Sequence, residues 1–319
     1  MEILPSVHGI QSIFLDRLLT VYLLIGRRVL LVDSGIATTP EKIILPYLDR
    51  LGISVKDVEW LVITHASGDH FGGNHAIKSA SPNTKILAHE LDKKSISNHQ
   101  MMIDEHINLF REFGVPFPEI KSDDLNFLSI HGPEVAVDQA VFGGEQLTLD
   151  EEWTVTLLHT PGHTPGHLMV YDPMHQALLA GDGIMGMGVP DLDGNLIMPP
   201  CYFEVDWYLN TIESIKQLSP QYIFGSHYQP ISGVDVDKFI MDSEAFLSRF
   251  NELIHDALES AKEPLDIPTI INEVRDCYGI PDSDYQYGMS IRAHLRKLFS
   301  VGKLVRIGEL PPHRWMLPD

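Results

Sequence analysis

The sequence is short of cysteine, of basic residues and of long apolar runs, and each shortage excludes something. Only Cys201 and Cys277 occur in 319 residues, far apart and outside any Cys-x-x-Cys spacing. A disulfide-stapled scaffold is thereby disfavoured and a reducing compartment fits. Lysine and arginine total 23 against 44 aspartate and glutamate, a formal net charge of −21. Nucleic-acid affinity rests on counterion release by clustered cations, so binding to phosphate over most of the surface is disfavoured, a local basic patch aside. No apolar run approaches the roughly 20 residues of a membrane span. The start, Met1-Glu2-Ile3-Leu4-Pro5, has neither the basic region nor the apolar stretch of a signal peptide. The expectation is a cytoplasmic protein with no membrane partner.

What is present is an ordinary globular balance, 21% charged and 44% hydrophobic, long enough for one large α/β domain or a domain of about 250 residues with a small companion. The chain is organised around Thr64-His65-Ala66-Ser67-Gly68-Asp69-His70-Phe71-Gly72-Gly73-Asn74, directly after the apolar run Trp60-Leu61-Val62-Ile63. Burying several ionisable groups costs several kcal/mol unless they are paired or hold a cation, so a strand ending in two imidazoles and a carboxylate points to a metal site.

Along the chain, Thr20 to Ile25 and Val29 to Val32 read as strands, the second ending in Asp33-Ser34-Gly35, and Pro40 to Leu51 as helix. Asp33 suits either a turn cap or a residue that orients a metal ligand. After the His65 motif come a helix from Asn74, a strand from Lys85 to Ala88, and a helical reach from Leu91 to Phe117. That reach carries His99 and His106, taken as helix-face residues, with Phe110 among its apolar positions. Val135 to Leu149 and Trp153 to Leu158 read as strands of a second sheet, the latter followed by His159-Thr160-Pro161-Gly162-His163-Thr164-Pro165-Gly166-His167. Two Pro-Gly turns fix the backbone around His163. Leu168 to Tyr171 and Ala177 to Ala180 form a hairpin-like pair ending in Gly181-Asp182-Gly183, and Tyr222 to Phe224 closes in Gly225-Ser226-His227. Ile184 to Tyr208 reads as a long loop, with Met185, Met187, Tyr202 and Trp207 as the wall of an apolar, adaptable substrate pocket. After a long helix from Val236 to Ala261, Glu263-Pro264 breaks the chain. Two short helices and two strands around Pro311-Pro312 then suggest a winged-helix-like unit.

Strand ends thus offer His65, Asp69 and His70, then His163, Asp182 and His227. Their order, in the phrases Thr-His-x-x-x-Asp-His, Thr-Pro-Gly-His-Thr-Pro-Gly-His, Gly-Asp and Gly-Ser-His, resembles the metallo-β-lactamase-fold hydrolases over about residues 10 to 235. Ala293 to Arg314-Trp315 looks like the C-terminal winged helix of a β-lactamase-like subgroup. The resemblance implies an α+β fold, a four-layer αββα sandwich over residues 1–262, with a small winged-helix-like domain over 263–319. It implies one or two metal ions, usually zinc, with iron or manganese as other occupants. One site would use His65, residue 67 and His163. The other would use Asp69, His70 and His227, with Asp182 bridging. The departure is Ser67, because the family pattern is His-x-His-x-Asp-His and a neutral hydroxyl is a weak zinc ligand. One metal in the Asp69, His70, Asp182, His227 site, two with the first weak, or a lost chemistry all remain open. His159 and His167 are the other imidazoles near enough in sequence to stand in for the missing one.

The implied activity is hydrolysis of a small ester, lactone or thioester by a metal-bound hydroxide. In that scheme Asp69 orients the nucleophile, Asp182 serves the leaving group, and Ser67 is available to hydrogen-bond the attacking water. A hydrolytic dehalogenase or nuclease on the same centre, and a regulatory DNA-binding protein with a degenerate metal domain, are the alternatives. After Pro264, seven Lys and Arg face seven Asp and Glu, so no cationic face emerges there. A C-terminal unit that packs on the catalytic domain or on a second subunit of a homodimer is the expectation.

Overall fold

Two mixed sheets lie face to face in the computed structural model, which describes residues 1–109, 113–114, 120–280 and 283–318. The first sheet takes its strands in chain order: β1 (Glu2–Leu4), β2 (Val7–Phe14), β3 (Arg17–Ile25), β4 (Val29–Val32), β5 (Val58–Val62), β6 (Lys85–His89) and β7 (Gln139–Val141). Hairpins make β1 to β4 antiparallel, and β4 to β7 run parallel. The second sheet has the order β15-β14-β11-β10-β9-β8. Its strands are β8 (Gln146–Asp150), β9 (Trp153–His159), β10 (Leu168–Asp172), β11 (Ala177–Gly181), β14 (Tyr222–Gly225) and β15 (Ile231–Ser232), with β11 and β14 parallel. A separate hairpin joins β12 (Val189–Pro190) to β13 (Leu196–Met198).

The strands read as near-continuous apolar runs because both faces are covered. Residues on alternate sides of the pleat divide between the layers. Leu30, Val32, Trp60 and Val62 meet Val155, Leu157, Val170 and Leu179 between the sheets. Leu31, Leu61 and Ile63 face outward onto α1 (Leu45–Leu51), α3 (Asn74–Ala80) and α4 (Glu90–Ser97), where Leu48, Ile77 and Ile96 cover them. On the far side Met169, Leu178 and Ile223 pack against α7 (Val205–Leu218) and α8 (Val234–Ser260). Each fully buried Leu, Ile or Phe contributes about 1.5–3 kcal/mol. The fold is therefore the four-layer αββα sandwich. Short helices α2 (Gly68–Phe71), α5 (His99–Met102) and α6 (Leu125–His131) complete its rim.

At the C-terminal end, α9 (Ile267–Tyr278) and α10 (Asp284–Ser300) carry β17 (Val305–Ile307) and β18 (Arg314–Met316), and β16 (Leu265–Asp266) adds a third strand in the order β16-β18-β17. Asp266 caps α9 by accepting from the Thr269 N–H at 3.0 Å. The apolar cluster that holds Tyr202, Phe246 and Phe250 also holds Ile270, Tyr287, Leu295 and Trp315, so the core runs without a break across residue 262. Among the described residues no helix is long and apolar enough to cross a membrane.

Three expectations change. Val135 to Leu149 is not one strand of the second sheet: β7 pairs with β6 in the first, and β8 begins the second. Ile184 to Tyr208 is not all loop, since it contains β12, β13 and the first turn of α7. The helical reach from Leu91 is broken at Asn98, which is extended and caps the next helix; its part at 110–112 and 115–117, Phe110 included, lies outside the described residues.

Candidate metal centre

Strand direction assembles the site. Because β4 and β5 are parallel, Asp33 and the His65 turn leave the first sheet at one edge, and because β11 and β14 are parallel, Asp182 and His227 leave the second likewise. Backbone bonds stitch the two edges together: Leu168 N–H donates to Thr64 O at 2.7 Å and Thr20 N–H to Ser226 O at 2.9 Å. His65, Asp69, His70, His163, Asp182 and His227, named separately from four stretches of sequence, meet at this seam.

Every imidazole is held from behind. His70 Nδ1–H donates to Asp33 Oδ2 at 2.8 Å, His163 Nδ1–H to Cys201 O at 2.9 Å, and His227 Nδ1–H to Leu18 O at 2.8 Å. His65 Nδ1 lies 3.0 Å from Thr64 Oγ1. Bonds at Nδ1 fix the tautomer and turn Nε2 toward the centre. Asp33 also accepts from Thr64 N–H at 2.8 Å and Thr64 Oγ1–H at 2.9 Å, from a left-handed backbone at φ 63°. A non-glycine residue rarely adopts that conformation, and here it aims the carboxylate at His70.

The facing donor atoms are spaced for one ion. His227 Nε2 lies 3.3 Å from Asp182 Oδ2 and 3.4 Å from Asp69 Oδ2; His70 Nε2 lies 3.5 Å from Asp182 Oδ2 and 3.9 Å from Asp69 Oδ1. A tetrahedral ion with bonds of about 2.0–2.1 Å requires edges of about 3.3–3.4 Å. His163 Nε2 stands farther back, 4.0 Å from Asp182 Oδ2. His65 Nε2 and His70 Nε2 are buried with no hydrogen-bond partner among the described residues, and such an orphan costs about 1–3 kcal/mol unless something fills it. The residues fit a divalent cation.

Electrostatics agree with that use. Burial alone would raise the Asp182 carboxyl, but the His227 and His70 imidazoles beside it reverse this and hold it well below the carboxylate range. Burial likewise works against ionised Asp69, which His70, His227 and the nearby Arg17 guanidinium nonetheless bring below its usual value. Burial, with His70 and His163 close by, pushes His65 well down and keeps it a neutral ligand.

The family follows from comparison with known sequences. The description Metallo-beta-lactamase superfamily matches residues 17–227. The chain belongs to that superfamily. A probable metallo-hydrolase of Bacillus subtilis is 26% identical over 226 residues, 67% of this chain and 68% of that protein. A beta-lactamase-like protein 2 homolog of Caenorhabditis elegans is 29% identical over 231 residues, 72% of this chain and 61% of its own length. In three dimensions a metallo-beta-lactamase family protein from Thermus thermophilus superposes with a TM-score of 0.76 at 20% identity, covering 99% of this chain and 100% of that one.

Against the superfamily pattern, the anomaly at Ser67 acquires a location. It precedes α2 in an extended conformation (φ −129°, ψ 139°) and makes no capping bond with its hydroxyl, so the side chain is uncommitted beside the His65 edge of the centre. Neither candidate substitute replaces the missing imidazole. His159 stacks on His89 at 3.9 Å outside the seam and donates from Nε2 to Pro165 O. His167 is fully buried against His65 with both nitrogens engaged, Nδ1 with Thr160 Oγ1 at 2.9 Å and Nε2 accepting the Asp182 N–H at 3.3 Å. It sets the backbone of Asp182.

Other contributors escaped the sequence reading. Asp92 is buried and accepts from Ala66 N–H at 3.1 Å, Gly166 N–H at 2.7 Å and Thr164 Oγ1–H at 2.5 Å, tying the His65 turn to the His163 loop. A Cβ on Gly166 would come within 2.6 Å of that carboxyl, so only glycine fits there. In sequence Asp92 is an ordinary acid in a first helical turn. Arg17 precedes Leu18, the residue whose carbonyl holds His227; its side chain is 12% exposed and its Nε has no partner among the described residues. Nothing local to the hairpin signals it.

The expected pocket wall is corrected. Tyr202 is wholly buried, stacked on Tyr208 at 4.9 Å and bonded to His294 Nε2 at 2.8 Å, and Met185 is buried as well. Met187 packs partly buried against that core and gives its carbonyl to Tyr278 Oη–H. Trp207 stands exposed on α7. These side chains were legible as apolar, but the core takes up Tyr202 and Met187, and the helix that starts at Val205 carries Trp207 to the surface. His106, by contrast, lies edge-on to Phe203 at 5.4 Å and is buried near His163.

Proposed function

We propose that the protein is a metal-dependent hydrolase of small esters, lactones or thioesters, with its principal ion held by Asp69, His70, Asp182 and His227. The observation that supports this most directly is the approach of the His70 and His227 Nε2 atoms to Asp69 and Asp182 carboxylate oxygens at 3.3–3.9 Å, each imidazole being pinned at Nδ1. When bound, a zinc or similar ion lowers the pKa of water to near 7 and polarises a carbonyl oxygen. The chain's residues do the rest. Asp69, kept ionised by its imidazole neighbours and Arg17, orients the attacking water. Asp182, ionised and anchored through His167 at its own N–H, takes up the proton that the attacking water releases and relays it to the departing oxygen or sulfur. The Ser67 hydroxyl is free to hydrogen-bond the incoming water or the substrate. His65 and His163 with Ser67 form a weaker second position, short of one imidazole.

Metal content by mass spectrometry, with turnover of aryl esters, acyl lactones and acyl thioesters before and after chelation, tests the proposal. About one tightly held ion per chain and a chelator-sensitive activity are expected. Protein without near-stoichiometric metal that turns over none of the three classes overturns it.

A further inference from the structure

A cavity of about 460 Å³ opens in the C-terminal unit between α10 and the β17–β18 ribbon, sharing no residue with the metal centre. Arg292, Arg296 and Arg306, with His313, Phe299 and Trp315, form most of its wall. We propose that this cavity binds a small ligand joining a phosphate to a planar ring, that is, a nucleotide.

Charge is the first argument. The chain carries 44 acids against 23 lysines and arginines, and residues after Pro264 are balanced seven to seven. Folding nevertheless collects three guanidinium-bearing side chains and an imidazole on one concavity that no carboxylate lines among the described residues. The even count concealed this, because it sums over the unit while Arg292, Arg296 and Arg306 line one concavity. Arg296 is half exposed and pairs through Nη2 with Glu204 at 3.3 Å. A guanidinium has five N–H donors in a fork suited to phosphate, so one such pair leaves others for a ligand.

The wall is also built for a ring. The Arg306 guanidinium lies 5.0 Å from the centroid of Phe299, whose ring meets Trp315 edge-on at 6.0 Å. Phe299 remains 40% exposed, leaving aromatic surface on which a base can stack. Trp315 is buried, and its Nε1–H has no acceptor among the described residues. The volume lies within the range of small-molecule sites and exceeds what a bare phosphate would fill.

The test is isothermal titration of the protein in chelator with ADP, adenosine, inorganic phosphate and a short single-stranded RNA, following in parallel the tryptophan emission that is lost in a Trp315→Phe variant. Working without metal keeps the result separate from that of the hydrolase proposal. ADP is expected to saturate one site per chain, about tenfold or more tighter than adenosine or phosphate alone, and to quench the indole. Arg306→Ala and Arg292→Ala should each weaken ADP about tenfold, about 1.4 kcal/mol. Arg306→Lys should retain part of the affinity, and circular dichroism confirms that the variants are folded. Absence of saturable ADP binding to millimolar concentration, ADP binding indifferent to both alanine variants, or RNA binding without mononucleotide binding would each overturn the proposal.

Discussion

At the scale of single residues, the centre depends on side chains that never face the reaction. Asp92 illustrates this. Replacing it with alanine strips acceptors from two buried backbone N–H groups and a threonine hydroxyl, each worth about 1–3 kcal/mol when orphaned. Asp92→Ala is expected to lose about 2–5 kcal/mol of unfolding free energy in urea and most of the activity; Asp92→Asn should recover part of both. On the proposed ligand set, Ser67 limits the metal count. Ser67→His completes the superfamily pattern beside His65 and His163, so metal analysis should move from about one ion toward two per chain; unchanged stoichiometry would show that the second position is limited elsewhere. Arg17→Gln removes the guanidinium that joins His70 and His227 in lowering Asp69. The expected result is a rise in the acid-side pKa of kcat/KM with little change in unfolding midpoint, since among the described residues the guanidinium's ion pair is with its exposed neighbour Asp16.

At the scale of elements, the coupling of α10 to the loop before α7 has a pH signature. His294 on α10 accepts from Tyr202 Oη–H and faces Asn251 Oδ1 at 3.2 Å, and burial, with Lys297 adding to it, brings its pKa down to about 3. The unfolded chain takes up that proton near pH 6.5 and the folded one does not. Stability from this group is therefore intact above about 6.5 and lost as the pH falls toward 3, by at most about 1.4 kcal/mol per pH unit. Urea midpoints measured from pH 7.5 downward should fall, and His294→Gln should flatten the slope. His106, pushed down to about 4 chiefly by burial, acts in the same direction.

Elements were unevenly legible in the sequence. The strand ends were readable because apolar runs stop on chemically odd residues: Val62-Ile63 on His65, Ala180 on Asp182, Phe224 on His227. What escaped was whatever depended on a partner remote in sequence. Gln139–Val141 joins the first sheet only because β6 lies open beside it, and no periodicity announces that. Tyr202 looks like a pocket residue in a glycine- and proline-rich stretch, yet α8 and α10 pack over it. Asp92 and Arg17 carry no local mark at all.

For the molecule as a whole, the apolar cluster that crosses residue 262 means that the C-terminal unit is part of the sandwich's outer layer. Ser290 Oγ–H donates to Pro200 O and Tyr285 Oη–H to His106 O, so α10 also braces the loop and helix near His163. Cutting the chain after residue 262 would bare Phe246, Phe250 and Ile254. That truncation is expected to aggregate or to unfold at much lower urea, and full-length protein should show one cooperative transition by both tryptophan fluorescence and far-ultraviolet dichroism.

The bond from His227 Nδ1 to the Leu18 carbonyl joins positions 209 apart in the chain. During synthesis, then, the first hairpin waits for most of the protein to emerge before its carbonyl has an imidazole to hold. Asp182 and His227 reach the growing centre last. An ion cannot be captured in its final geometry by a half-made chain, and metal loading becomes a late event that certifies both sheets as closed.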